Sequence, residues 1–186
     1  MIMNKEIVSS VIGPLQQEKN FPDWWKSNSI EIPFLKNEKL AIIFIDFLPE
    51  KDQSFIEDAD NALRNFLGMT IDDRNLISQK VYRNCMDFLD TIDFDEPDDD
   101  LRKITAVNDI WNFVYPAEIY LSRRNRRDKD IYLSIDCDCE WEQEHGLQLV
   151  FRQGKKLTRI SARDGHLTDA DAYDKPDDED ELLSKF

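Results

Sequence analysis

Glycine is scarce, with five in 186 residues. That count argues against a loop-rich or phosphate-cradling architecture. The phosphate loop, dinucleotide fingerprint, nucleophile elbow and metalloprotease helix are all missing as motifs. Cysteine is scarce too: Cys85, Cys137 and Cys139 are the three. An odd, small number argues against a disulfide framework. With no basic stretch followed by an apolar one near Met1–Pro14, it leads us to expect a reducing, cytoplasmic setting. Long apolar runs are lacking as well. The longest, Leu40–Ile45, is far short of the roughly 20 residues of a membrane span, and no lipidation motif ends the chain. No membrane association is expected.

Acid is what the sequence has in excess. Thirty-nine Asp and Glu stand against 24 Lys and Arg, a formal net charge of -15. Such a surface repels nucleic acid and anionic lipid, and attracts basic proteins, polyamines or divalent cations. Apolar residues make up 41% and aromatics 11%. The lean core is offset by aromatic rings, each of which buries a large area. The length suits one domain, over residues 1–173, followed by an acidic and mobile tail over 174–186.

Hydrophobic periodicity divides the chain. Residues 1–29 are polar with scattered aromatics, and suit a short helix or an irregular arm docked by Trp24 and Trp25. Ile30, Ile32 and Phe34 alternate with polar residues, as in a half-buried strand. Residues 36–39 read as a turn. The run from Leu40 to Phe47 is apolar on both faces, as in a central strand. Residues 52–67 carry a helical apolar face, with Gly68 placed for a left-handed cap. Thr70 and Asp73 form a capping pair for a second helix over 70–89. Pro97 and the Asp run after it suit a third helix over 98–111, which Pro116 ends. The last third reads as an antiparallel meander: 119–121, a long strand from Ile131 to Trp141, 147–151, and 157–161. The expected fold class is α+β, an antiparallel sheet of about five to seven strands with about three helices on one face.

Four constellations could carry chemistry. Cys137, Cys139, His145 and His166 are the residue types of a zinc site. The two cysteines, however, share odd positions with Ile131, Leu133, Ile135 and Trp141, so buried core thiols are expected and no metal or cofactor is. Asp136, Asp138, Glu140 and Glu142 hold the even positions, roughly 7 Å apart in a regular strand. They read as a solvated face, as a docking surface for a basic protein or, third, as a row that holds a divalent cation between carboxylates. His145 and His166 lie in glycine turns beside Glu142, Glu144 and Asp164, which leaves open a histidine–carboxylate catalytic group. The cluster Arg123-Arg124-Asn125-Arg126-Arg127 points to pairing with acidic loops of this chain or of a second copy, rather than to nucleic acid.

The run Cys137-x-Cys139-x-Trp141-Glu142-x-Glu144-His145-Gly146-Leu147, followed by Asp164-Gly165-His166-Leu167-Thr168 and Asp171-Ala172-Tyr173, resembles an uncharacterised bacterial domain family over roughly residues 110–173. The resemblance implies a small cytoplasmic protein and brings no activity with it. Some similar acidic families act as immunity proteins in bacterial toxin systems, a role the resemblance implies only loosely. The leading expectation is therefore a binding protein for a basic protein partner, docked through Asp136, Asp138, Glu140 and Glu142 with Trp24 or Trp25 as anchor. A small hydrolase or metal-dependent enzyme built on the histidine turns stands beside it, as does a self-associating homo-oligomer.

Overall fold

The computed structural model describes residues 7–92 and 100–184. Its strands in chain order are β1 (Ile7–Ser9), β2 (Gly13–Gln17), β3 (Trp25–Ser27), β4 (Ile30–Ile32), β5 (Glu38–Leu40), β6 (Ile42–Phe44), β7 (Val114–Arg123), β8 (Ile131–Cys139), β9 (Leu147–Arg152) and β10 (Lys156–Ser161). Eight of them form one sheet, in the order β1-β2-β3-β6-β7-β8-β9-β10, and β4 with β5 makes a separate two-stranded ribbon. The class is α+β, but the sheet is larger than expected and mixed. β6 and β7 run parallel, and the other neighbours run antiparallel.

The parallel pair follows from what lies between its strands. Helices α1 (Phe55–Gly68) and α2 (Ile71–Thr91) carry the chain from β6 back to β7, and a crossover of that length returns a strand in the same direction. The register aligns Trp25, Phe44, Leu121, Leu133, Phe151 and Leu157 across six strands. This first face is the core face. Phe55, Leu63 and Phe66 of α1 are buried on it, with Phe55 6.0 Å from Phe44 and Phe66 6.3 Å from Phe151 between ring centroids.

Both long helices start near their expected places, for different reasons. At α2, the Thr70 hydroxyl accepts the Asp72 N–H at 3.2 Å and Asp73 accepts the Thr70 N–H at 2.7 Å, a reciprocal cap. At α1, Ser54 makes no such bond, and Gly68 lies inside the last turn, with extended Met69 as the cap in its place. The third helix is different. Of residues 98–111, 98 and 99 lie outside the described residues. A turn covers 100–103, Ala106 is extended, and a 3-10 helix takes Val107–Phe113. Ile104 and Thr105, both β-branched, interrupt the helical option. Trp111 then fixes the segment by donating its indole N–H to Ser78 at 2.8 Å. Pro116, expected as a helix stop, sits within β7 beside a bulge at Pro116/Glu118, where a missing ladder donor is tolerated. Residues 7–27, expected as a helix or an irregular arm, form the three strands that extend the sheet past β6.

The second face is divided. Over β8–β10 it is covered by residues 168–184, which include α3 (Asp169–Ala172), a 3-10 turn at Asp177–Glu179 and α4 (Glu181–Ser184). Residues 174–184, expected as a mobile tail, carry buried anchors. Asp180 is fully buried and accepts the N–H groups of Ala170, Leu182 and Leu183 at 2.8–3.0 Å, and Leu183 is buried beside it. The other half of the face, around β3, β6 and β7, is covered in part: Ile43 is buried, Trp24 and Tyr120 are half-buried, and Lys26 is exposed.

Candidate functional site

Strand β8 decides what the second face offers. Its odd residues, Ile131 to Cys139, are buried on the core face, while Asp136 is half-buried and Asp138 exposed on the other. The strand ends at Cys139, so the expected row of four carboxylates breaks in two. Asp136 accepts the Ser134 hydroxyl at 3.0 Å, and Asp138 pairs with Arg163 at 3.1 Å. Glu140, past the strand end, accepts the Tyr115 hydroxyl. Glu142 turns back to accept the N–H groups of Glu144 and His145 at 3.1 and 3.2 Å, with His145 Nδ1 at 3.3 Å. Burial acts to raise the Glu142 carboxyl, but the hydrogen bonds of His145 and Glu144 outweigh it and hold the group below its usual range. Mutual repulsion is relieved by giving each acid a different partner.

Asp136 is the exception in its electrostatics. Burial pushes its carboxyl up, Ser134 and Arg163 act against that, and Glu118 adds to it. The register sets Glu118, Asp136, Gln148 and Ser161 in one row, and Ile43, Tyr120, Ser134, Val150 and Arg159 in the next. Tyr120 donates to Glu118. Against Tyr120 stands Trp24, edge to face at 5.9 Å between centroids, and Phe21 stacks on Trp24 at 4.7 Å. Phe21 is 50% exposed and Trp24 half-buried. Trp25 does not share this surface. It is 5% exposed, packs near Phe47 and donates its indole N–H to the Phe47 carbonyl at 3.2 Å. A side chain with no free area cannot anchor a partner, so of the two tryptophans only Trp24 remains for that role.

The histidine turns meet at the end of the sheet where β8 stops and β9 begins. Arg163 Nε donates to the His145 carbonyl at 2.6 Å. Gln148, 2% exposed, donates to Asp164 at 3.1 Å and to the His166 carbonyl at 2.9 Å, and accepts the Gly165 N–H at 3.3 Å. What holds the turns together is thus the Arg163 side chain, Gln148 and backbone, with both histidines exposed. Glu144 is exposed, 3.9 Å from His145 Nε2. Asp164 serves Arg159 at 2.5 Å and the His166 N–H at 3.0 Å. A cleft of about 210 Å³, lined by Asp58, Asn65, Arg123, Lys129 and Gln153 among others, opens at the opposite end of β8. Among the described residues, no three His, Cys, Asp or Glu cluster as a metal site would require. Cys137 and Cys139 are buried thiols. Burial pushes both up, Cys139 to about 11, away from the thiolate that binds metal.

Arg123, Arg124 and Arg127 of the arginine cluster pair inside the chain, and Arg126 is exposed. Arg123 bonds Asp52 at 2.5 Å and Asp58 at 2.8 Å, tying the β7 end to the start of α1. Arg124, its side chain 3% exposed, pairs with Asp128, Asp171 and Asp177.

A family model described as a domain of unknown function (DUF6985) matches residues 11–167. The chain belongs to this family. Membership reaches well upstream of the motifs that carried the resemblance, and it stops before Asp171-Ala172-Tyr173. No curated protein and no solved structure matches the chain.

Sequence reasoning missed Phe21, Tyr120, Gln148 and Arg163. Tyr120 and Gln148 each hold a strand position beside a core residue, which the alternation does signal. Phe21 and Arg163 lie outside regular strands, where periodicity is silent.

Proposed function

We propose that this chain is a binding protein whose partner is a basic protein, docked on the open half of the second face. The observation that carries the reading is the chain of half-exposed rings Phe21, Trp24 and Tyr120 set beside Glu118 and Asp136. An aromatic anchor flanked by carboxylates fits a surface rich in Arg and Lys, because a cation gains from both ring faces and acids. The carboxyl of Asp136 is strained by burial in just the way an incoming cation would relieve. In its sharpest form the protein neutralises a basic toxin as an immunity protein. The net charge of -15 would then steer the encounter and make it sensitive to salt.

The test is capture of partners from the native lysate at low and high salt, with wild type beside Trp24→Ala and Asp136→Lys/Asp138→Lys. A basic protein held by wild type, released by salt and bound at least about 30-fold more weakly by Trp24→Ala supports the reading; that loss corresponds to about 2 kcal/mol. Equal retention by both variants removes this face from the function.

A further inference from the structure

We infer that the Arg124 cluster is a binding site for acidic peptide segments, and that residues 168–184 are its resident, displaceable ligand. The inference concerns a different surface from the aromatic one and does not depend on it.

The geometry is that of a ligand in a site. Arg124 grips two carboxylates in fork geometry: Asp171 through Nε and one terminal nitrogen, both at 2.8 Å, and Asp177 through its two terminal nitrogens at 2.9 and 2.7 Å. The Thr168 hydroxyl completes the contact at 3.2 Å. Both gripped acids come from the strap. Arg127 adds a bond to Asp177 at 3.2 Å, and Arg159 pairs with Asp169, while Lys156 Nζ donates to the Leu183 carbonyl at 2.5 Å. The cations belong to β10 and the turn after β7, both inside the family domain. Asp169, Asp171 and Asp177 lie beyond its last matched residue. The domain supplies the arginines, with Asp128 and Asp164 among their partners, and a C-terminal extension supplies Asp169, Asp171 and Asp177.

The strap is built to leave. Neither α3 nor α4 exceeds four residues, too short to stand without tertiary support. Its buried side chains are the apolar Ala170 and Leu183 and the polar Thr168 and Asp180, and what ties it to the sheet includes the ion pairs of Arg124, Arg127 and Arg159 and the Lys156 hydrogen bond. The site is not built to stay empty. With the strap lifted, Arg124 keeps Asp128 alone of its three carboxylates. Lifting the strap opens the guanidinium to solvent with two of its carboxylate partners gone, so an acidic segment that enters regains both charge-assisted pairs. Nucleic acid is the poorer candidate, because the remaining surface is strongly negative.

The experiment uses the full chain and a fluorescent peptide with the sequence of residues 168–184. Asp171→Asn/Asp177→Asn weakens the resident strap without touching the arginines. It is expected to bind the peptide at least about tenfold more tightly than wild type. Binding should weaken with salt, and weaken further when Arg127→Ala is added. A double variant with native near-ultraviolet dichroism and no gain in affinity overturns the proposal. Displacement of the peptide by an oligonucleotide as readily as by unlabelled peptide overturns the choice of peptide as ligand. Should the double variant not fold, hydrogen exchange on wild type decides. Exchange at the amides of Tyr173 and Lys175 faster than at β8, and accelerated by salt, supports a displaceable strap. Exchange as slow as that of β8 overturns it.

Discussion

Gly154 is where the hairpin of β9 and β10 meets helix α1, and replacing it with alanine measures that contact. Gln153 and Gly154 both have positive φ, +51° and +68°, and the Lys155 N–H bonds the Arg152 carbonyl at 3.2 Å. This is the turn whose twist matches its strands. A Cβ on Gly154 would press into the Ala62 carbonyl of α1 and come within 3.1 Å of Phe66 Cβ. Two costs add: about 1–2 kcal/mol for a left-handed alanine and about 1–3 kcal/mol for overpacking against a helix backbone. Gly13 supplies the control, since it has φ +82° but nothing within 4 Å of where a Cβ would stand. Gly13→Ala therefore carries only the first cost. Urea denaturation should show a lower midpoint for both variants with unchanged slope. The excess loss in Gly154→Ala, about 1–3 kcal/mol, is the steric part. Equal losses would refute the close approach of turn and helix.

Three further outcomes follow from the same structure. Trp25→Ala should cost about 3–5 kcal/mol of stability and Trp24→Ala about 1 kcal/mol, read from urea melts; the reverse order would contradict the assignment of Trp25 to the core. The three buried cysteines should resist a thiol reagent at neutral pH until the protein unfolds, because burial holds Cys137 and Cys139 protonated, Cys139 with its pKa pushed up to about 11; rapid native labelling would argue against their burial. The pH dependence has two signs. Hydrogen bonding to Arg124 lowers the Asp177 carboxyl below 3.8, so its contribution is present above that value and lost as pH falls through the lower, folded one. Asp136 is raised by burial, so its ionised form opposes folding and protonation relieves it. Asp136→Asn should thus stabilise the protein at neutral pH, and Asp177→Asn should flatten the acid limb of its stability profile; a loss of stability in Asp136→Asn would overturn the first.

Elements whose own residues set their burial were legible in the sequence. The alternation of Ile131, Leu133, Ile135, Cys137 and Cys139 names one face of β8, and all five are buried. The reciprocal cap of Thr70 and Asp73 starts α2. The apolar run of β6 lies inside the sheet, buried on both faces. What was illegible depends on neighbours distant in the chain. Strands of three residues such as β1 and β3 show too few positions for a period, and they exist because β6 offers an edge. The row of acids was misread because alternation continues past Cys139 in the sequence, through Trp141, while the backbone has already left the sheet. The strap from residue 174 on was read as a tail because acids promise solvation. Asp177 there is held by Arg124, 53 residues before it, and no local pattern announces that pairing.

The distribution of charge joins the two surfaces. A deficit of cations makes each internal use of arginine consequential. Arg123 is consumed at α1, Arg124 and Arg127 at the strap, Arg152 by Asp130 at 2.6 Å, and Arg163 by Asp138 and the His145 turn. These pairings neutralise acids where the sheet must be covered, and they leave the surplus carboxylates elsewhere. On the open half of the second face, Glu118 and Asp136 have hydroxyl partners, Tyr120 and Ser134, and no cation at salt-bridge distance among the described residues. A hydroxyl satisfies hydrogen bonding but leaves the charge in place. Arg163 acts on Asp136 only from beyond salt-bridge distance, so that half keeps its carboxylates less fully paired than the strapped half. Partner choice follows from this asymmetry: a basic surface gains by docking beside Trp24, and only an acidic segment can compete at Arg124.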